Sequence, residues 1–538
     1  MGVQQFLQKV LPTAGQAIDL RHYGDGVYEG RRSLRVAVDI AAVVYQATTG
    51  FGDMLADERH LDNYGRAELR RQEKEAAAAS SANKDTTTIN NANNNAPHKR
   101  PTPNPQYDPQ VQHYVHRCTQ HVMRFLHEFQ RVNVLVVLDG ATPPCKQAVV
   151  QQRRQTRQMA QQARDAVVDE IDLSTRLTAN RRAGAGPHFA LVLDAVVAAL
   201  RAARIPLLVA PYESDGQLAF LSARRYVDLV VTEDSDLLAM GATPVLYKAT
   251  ARQHKNEYRD GIQGTLLSMD NLALCRGLSL LDFSSAMLAV VFIAAGSDYC
   301  EKLKGVGIVT ATDAARKAFF QTKGQPPLQT FLQEIFRATY RNDLTDEYKA
   351  AYEERFLGAL LQFRHPVVYD PLQGQCVTFR LDCPDPELIL YEPYAALVHD
   401  AARRAKFTGT RWPAPLCSHV AEGWLDPRTL KPRQYARLPV AVETAWQEWK
   451  QQKEVVANPT EEVKRQEEEE EEEEVVAAQN GADKDAVDKD ATMTEAVTTS
   501  TTETVMNETP PETQDPTTVA AQTTPKEGST KDMPIWLD

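Results

Sequence analysis

Four short apolar runs in this chain end in carboxylates. "LRVAVD" (34–39) ends on Asp39, and "VNVLVVLD" (132–139) ends on Asp139. "IPLLVAPYESD" (205–215) carries Glu213 and Asp215, and "VDLVVTEDSD" (227–236) carries Asp234 and Asp236. In the last run Glu233, Asp234 and Asp236 follow directly on Leu229, Val230 and Val231. Acids so spaced repel one another unless a cation lies between them. A single acid at the end of an apolar run is commonplace and marks a turn or a helix cap. Four such endings need another explanation. Carboxylates without His or Cys are hard oxygen ligands, which select Mg²⁺ or Mn²⁺ rather than zinc. Two such ions about 4 Å apart can activate a water and stabilise the leaving oxygen of a phosphodiester. A further acid, Asp298, follows the apolar stretch "LAVVFIAAG" and fits the same set.

Such a cage needs a frame. The four runs are short, rich in β-branched residues and continuously apolar, as strands buried on both faces of a parallel sheet are. Helical stretches separate them: "YVHRCTQHVMRFLHEF", "ALVLDAVVAALRAAR" and "DGQLAFLSARR". The alternation predicts an α/β fold with a central, mainly parallel sheet flanked by helices. In an open parallel sheet the carboxyl ends of the strands share one edge, where ligands bind. The pairs Glu213/Asp215 and Asp234/Asp236 are spaced i, i+2, so both members point the same way wherever the backbone stays extended.

Two further segments could meet a polyanion. After Asp139, "PPCKQAVVQQRRQTRQMAQQAR" carries Lys146, Arg153, Arg154, Arg157 and Arg164 on a helical stretch. Lys146, Arg153 and Arg157 can share one face of it. A basic helix is commonly only a solvated surface; one that starts beside a metal-ligand candidate suits phosphate contact. Beyond Asp298, the turn Gly305, Val306, Gly307 separates two helical stretches. A helix–Gly-x-Gly–helix can offer backbone N–H groups to a phosphate, and equally serves as a plain hairpin turn.

The chain has 538 residues, 43% of them hydrophobic, and seven scattered cysteines with no C-x-x-C pair. That spacing argues against a disulfide framework or a zinc site and fits a reducing compartment. "MGVQQFLQKV" lacks the basic start and apolar core of a secretory signal, and "AMLAVVFIAA" is too short to span a bilayer. The expectation is a soluble intracellular protein with no membrane partner. The net charge of −12 belongs to the end of the chain. Residues 451–538 hold 7 Lys and Arg against 23 Asp and Glu, a net of −16, which leaves residues 1–450 at +4. The body therefore suits a polyanionic partner better than the total suggests. Two segments read as disordered: a polar, Asn-rich insertion over about 72–108, and the tail from about Gln451, with eight consecutive Glu from Glu467 to Glu474.

These motifs resemble, in order, the blocks of the structure-specific 5′ nucleases, the flap-endonuclease and XPG-like family. The blocks are "MGVQQFL", "VAVD", "VLDGATPPCK", "APYESDGQLAFL", "TEDSDLLAMG" and "GSDYCEKLKGVG". Asp215 with Gln217 and Leu218, and "HPVVYDPLQGQCVTF" (365–379), are similar to the exonuclease 1 branch, while "GSDYCE" is nearer a flap endonuclease. The likeness covers about residues 1–400 apart from the insertion.

The resemblance implies a PIN-like nuclease core and roles within it. Asp39, Asp139, Glu213 and Asp215 would serve one Mg²⁺, and Asp234, Asp236 and Asp298 a second, with Mn²⁺ able to substitute. Lys146 and Arg153 would act on the scissile phosphate at the base of a helical gateway. Arg154 and Arg157 on the same stretch, with Gly2, Tyr45 and the Gly305–Val306–Gly307 turn, would contact DNA. That turn belongs to a helix–two-turn–helix, which holds a K⁺ ion in relatives.

The implied layout is an N-terminal nuclease region (1–145), a gateway (146–203), an internal nuclease region (204–300), the DNA-gripping helices (283–365), an extension of the body (366–450) and the acidic tail (451–538). The implied function is Mg²⁺-dependent 5′→3′ DNA exonuclease action with 5′-flap cutting, by a nuclear monomer working in repair, mismatch correction or recombination. The implied substrates are DNA with nicks, gaps, recessed 5′ ends or flaps. A replicative flap endonuclease, a 5′→3′ exoribonuclease and an inactive junction scaffold are the alternatives. The insertion lengthens the interval between Asp39 and Asp139, where relatives hold part of their junction contacts. No sliding-clamp motif of the Gln-x-x-Leu-x-x-aromatic-aromatic type stands in the tail, so its mismatch-repair or replication partners are unassigned.

Overall fold

The computed structural model describes residues 3, 6–20, 22–23, 33–51, 109–129, 132–147, 149–151, 155, 188–254, 257–321, 324–339, 344–433 and 438–457. The Asn-rich segment over 72–108 and the tail beyond Ala457 lie outside these residues. The chain divides into two compact units, with the boundary after Glu443.

The first unit is built on a seven-stranded sheet in the order β1-β7-β6-β5-β2-β3-β4. Its strands are β1 (Gln16–Asp19), β2 (Arg35–Asp39), β3 (Asn133–Leu138), β4 (Leu207–Val209), β5 (Leu229–Val231), β6 (Val245–His254) and β7 (Glu257–Leu267). The four runs expected to be strands are the four neighbours β5, β2, β3 and β4, all parallel. β6 extends the parallel set beside β5. β7 and β1 then add an antiparallel edge that the apolar runs did not announce. Both strands are half polar, with Gln263 and Gly264 in β7 pairing with Asp19 and Ile18 of β1. That pattern marks a sheet margin rather than a doubly covered centre.

Register brings the acids together. Val38 lies opposite Val136 on one side and Val231 on the other, and Leu138 lies opposite Val209. The carboxyl ends of the four strands therefore finish at one edge. Helices α1 (Phe6–Ala14), α2 (Ile40–Gly50), α3 (Pro109–His127), α4 (Phe189–Ala202) and α5 (Ser214–Ala223) flank the sheet. Val43, Val44, Tyr114, Val122, Val196 and Leu200 of α2, α3 and α4 form one core with Val36, Val38, Val136 and Val231 of the strands. The other face of the sheet is covered by α5, which packs on β2, β3 and β5.

After β5 come the short α6 (Asp236–Met240), then α7 (Ser285–Gly296), α8 (Ile308–Arg316), α9 (Pro327–Ala338) and α10 (Asp346–Arg364). Ser284 opens α7 by accepting from the Met287 amide at 3.1 Å. Every residue from Ala286 to Ala295 is buried, so α7 is a central helix with no solvated face. A hairpin, β8 (Val367–Asp370) with β9 (Gln375–Thr378), follows α10, then α11 (Glu392–His399) and α12 (Ala401–Thr408).

This last part braces the elements that carry the acids. Gln217 of α5 pairs through its amide with both backbone groups of Tyr369 in β8. Arg364, 1% exposed, forms a two-pronged pair with Asp385, with both contacts at 2.7 Å. Arg364 also donates to the Ala239 carbonyl, and Arg380 donates to the Met240 carbonyl. The carbonyls that the end of α6 leaves unsatisfied are thus taken by two guanidiniums. Burial and the nearby Arg364 pull the Arg380 guanidinium down to about 9.

The last described helix, α13 (Val440–Ala457), crosses into the second unit, whose described residues are all helical. It carries the chain seven residues past the start expected for the unstructured tail, because "EWKQQKEVVA" is built from good helix formers. Within the second unit Lys450 lies over the Trp446 ring. No helix among the described residues is long and apolar enough to cross a membrane. All seven cysteines are free thiols.

Candidate active site

Each acid is held by the element it ends or begins. Asp39 closes β2 and caps α2: its Oδ1 accepts from the Ala41 amide at 3.1 Å, and its Oδ2 accepts from the Thr232 hydroxyl at 2.9 Å. Asp139 follows β3 and accepts from the amide and the hydroxyl of Ser214, both at 2.8 Å, so it also ties the start of α5. Gly140 permits this approach. A Cβ there would stand 1.9 Å from the Ala210 carbonyl oxygen and 2.8 Å from that of Pro211.

Glu213 is the extended N-cap of α5, and Asp215 lies in its first turn. Asp234 accepts from the Asp236 amide at 3.0 Å, and Asp236 is the first residue of α6. The i, i+2 pairs therefore do not converge as neighbours on an extended strand. Each pair straddles a helix start, where unpaired N–H groups favour negative charge. Asp298 follows α7. Burial raises Glu233, with Lys248 on β6 pulling the other way.

Seven acids so placed feel one another. Burial raises Asp39 to about 7, and Asp139 and Asp234 add to the rise. Asp215 is pushed well above the ordinary carboxylate range by burial, then by Asp234, Asp39, Glu213 and Asp139. Asp236 is raised by burial, Asp234 and Asp298. Asp234 is raised chiefly by burial. Glu213 is raised by burial, with Lys146 pulling the other way. Such a set stays ionised only beside positive charge.

Among the described residues, Lys146 brings positive charge to this group. Lys146 ends a single 3-10 turn after Asp139, Pro144–Lys146. Its ammonium donates to Glu213 and pairs with Asp298 at 3.1 Å. Burial would lower its pKa, but Glu213 and Asp298 more than offset this and hold it above the ordinary lysine range. Tyr299, unforeseen from the sequence, completes the group. Its hydroxyl donates to Glu213, and its ring lies 5.3 Å from the Lys146 ammonium. The signal for it was its place beside Asp298 in "GSDYCE". Ser214, Ser235 and Thr232 were also missed, being short polar residues next to the acids they serve. Ser235 accepts from the Val3 amide at 2.9 Å, which stitches the N-terminal segment to the site.

The other expected contacts are less central. Tyr45 sits half-buried on α2, and its carbonyl accepts from Thr48 and Thr49. Gly305 takes a positive φ of 93°, and Gly307 caps α8. The Val306 side chain is buried, so only its backbone is left to meet a ligand. Gly2, Arg153, Arg154 and Arg157 lie outside the described residues.

The donor chemistry, carboxylate oxygens without His or Cys, fits hard divalent cations. Among the described residues, no three His, Cys, Asp or Glu side chains close around one point as a metal cage. The acids are instead turned to protein donors: Lys146, Tyr299, Thr232, Ser214 and backbone amides.

The XPG I-region family matches residues 204–298, a span from just before β4 to Asp298 that holds five of the seven acids. Exonuclease 1 of Arabidopsis thaliana is 27% identical over 303 residues, 56% of this chain and 36% of that protein. Exodeoxyribonuclease 1 of Schizosaccharomyces pombe is 30% identical over 304 residues, 56% of this chain and 46% of that protein. The chain thus spans less than half the length of these curated relatives. The solved catalytic core of Rad2 in complex with a DNA substrate aligns at 16% identity over 67% of this chain and 86% of that one, with a TM-score of 0.33, too low to add to the case. Residues 204–298 therefore match the XPG I-region, and over just over half of its length the chain is similar to proteins named exonuclease 1 and exodeoxyribonuclease 1.

Proposed function

We propose that this chain is a Mg²⁺-dependent, structure-specific DNA nuclease that removes nucleotides from 5′ ends at nicks, gaps and recessed ends and also cuts 5′ flaps. The observation that carries this is a buried cluster of acids that feel one another's charge, with Lys146 beside it and paired with Glu213 and Asp298. The names of the relatives point the same way.

Asp39, Asp139, Glu213 and Asp215 would hold one ion, and Asp234, Asp236 and Asp298 the other. Two bound Mg²⁺ ions supply an activated water and charge stabilisation at the leaving oxygen. The rest falls to the protein. Lys146 brings a fixed positive charge to the scissile phosphate, inside a buried site where electrostatic interactions are strong. On DNA binding it exchanges a carboxylate for a phosphate oxygen. Arg153 would join it, with Arg154 and Arg157 on the strand beyond. Tyr45 would stack on the terminal base. Gly2 and the Gly305–Val306–Gly307 turn would contact the duplex backbone, with K⁺ at that turn.

The layout that goes with this is an N-terminal nuclease region (1–145), a gateway (146–203), an internal region (204–300), DNA-gripping helices (283–365), an extension (366–450) and an acidic tail (451–538). The setting would be nuclear DNA repair by a monomer. Asp234→Ala tests the assignment: cleavage of nicked duplex is lost while binding of the same duplex persists. An active Asp234→Ala protein overturns it. RNA of the same shape, cut faster than DNA, would move the substrate to RNA.

A further inference from the structure

We propose that Tyr299 is a positioning residue for Lys146, acting as a fixed aromatic platform that keeps the ammonium over the acid cluster. This rests on the role proposed for Lys146 at the scissile phosphate, and it concerns a residue to which the acid cage itself assigns nothing.

The observations are geometric. Tyr299 is 6% exposed and follows Asp298 directly. Its ring centroid is 5.3 Å from the Lys146 ammonium, within reach of a cation–π contact. Its hydroxyl donates to Glu213, the same carboxylate that accepts from Lys146. The ring also meets Phe363 of α10 in a T-shaped contact, with centroids 5.6 Å apart and planes at 81°. The ring is thus held by two contacts, Glu213 at its hydroxyl and Phe363 against the ring itself.

A lysine stem has four rotatable bonds and is free to wander once its carboxylates are taken by something else. With Glu213 and Asp298 engaged as metal ligands, the ring would remain, among the described residues, as a partner that holds the ammonium in place. A ring attracts a cation without competing for the metal or for the phosphate. Tyrosine suits the position better than leucine because it brings both the face and the hydroxyl. Phe363 adds that the platform is anchored outside residues 204–298, in the helical region that follows.

The test compares Tyr299→Phe, Tyr299→Leu and Lys146→Ala, and the double variant Tyr299→Leu/Lys146→Ala. Tyr299→Met replaces Tyr299→Leu if the latter does not fold. With Lys146 present, Tyr299→Leu should lower single-turnover kcat on nicked duplex about tenfold at unchanged KM. In the Lys146→Ala background the same change should cost nothing more. Tyr299→Phe, which keeps the ring, should lose less than Tyr299→Leu.

A second readout needs no activity. In protein carrying lysine labelled at Cε and Nζ, the signal that disappears in Lys146→Ala should be shifted by the ring. It should stay shifted in Tyr299→Phe and move to the ordinary lysine position in Tyr299→Leu. An equal loss of kcat in both backgrounds, or a Lys146 signal indifferent to the ring, overturns the proposal. If the wild-type protein cuts no DNA, the proposed function fails, and the lysine signal still decides whether Tyr299 positions Lys146.

Discussion

The Gln217 amide pairs with both backbone groups of Tyr369, donating to its carbonyl and accepting from its amide, each at 2.8 Å. The contact is fully buried and joins the helix that carries Asp215 to a hairpin about 150 residues away. In Gln217→Ala both backbone groups of Tyr369 lose a buried partner, at a cost of about 2–4 kcal/mol. The urea midpoint should fall accordingly, and activity should fall with it because α5 loosens. An unchanged midpoint would mean that the hairpin does not support the site.

Gly140 should be as unforgiving. Its would-be Cβ stands 1.9 Å from a backbone oxygen that no side-chain rotamer can move aside. Gly140→Ala is expected to cost about 3 kcal/mol or more by forcing the Asp139 segment away from Ala210 and Pro211. Chemical denaturation measures this directly.

The raised acids make the metal-free protein sensitive to pH. Asp39 sits at about 7 when folded, against an ordinary 3.8, and Glu213, Asp215, Asp234 and Asp236 are raised too. The folded state therefore holds protons that the unfolded chain has released. The stability that Asp39 contributes is fully present below about pH 4 and is lost as pH rises through about 7, and the other raised acids act in the same direction. In EDTA, Tm should fall between about pH 5 and pH 8, and added Mg²⁺ should restore it most at the alkaline end. A Tm that ignores Mg²⁺ at pH 8 would argue against a cation site here.

Asp236→Asn should separate stability from function. Asp236 is 4% exposed and is raised by Asp234 and Asp298 after burial itself. Removing its charge relieves that repulsion, so the metal-free variant should melt higher than wild type at pH 8. Its cleavage should fall more than about 100-fold, since even outer partners of a metal site cost 10–100-fold when lost. A variant that melts lower in EDTA, or that keeps full activity, would contradict this.

Much of the frame was legible because buried parallel strands leave a plain trace. Val36 to Val38, Leu135 to Leu138 and Leu229 to Val231 are continuously apolar and become three adjacent strands. β7 and β1 left no such trace, since Gln16 to Asp19 and Gln263 to Thr265 mix polar and apolar residues at a margin. Within the site the acids were legible by type and place. Their convergence follows from the shared carboxyl edge of the strands, whereas the pairs Glu213/Asp215 and Asp234/Asp236, expected to point one way wherever the backbone is extended, straddle the starts of α5 and α6. Tyr299 was hidden for another reason: a tyrosine after an acid reads as core until Lys146, distant in sequence, is brought to its ring. Gln217 was noticed only as a mark of resemblance; its pairing with Tyr369 needed the fold.

The most direct measurement uses a nicked duplex labelled at the 3′ end of the strand downstream of the nick, beside a matching duplex with a 5′ flap, both with Mg²⁺. The expected result is progressive shortening of the nicked strand from its 5′ end, slower cutting at the flap base, and loss of both in EDTA. A single cut at the flap base with the nicked strand untouched would contradict the exonuclease assignment. No Mg²⁺-dependent cleavage of either substrate would contradict the central claim that the acids around Lys146 form a nuclease site.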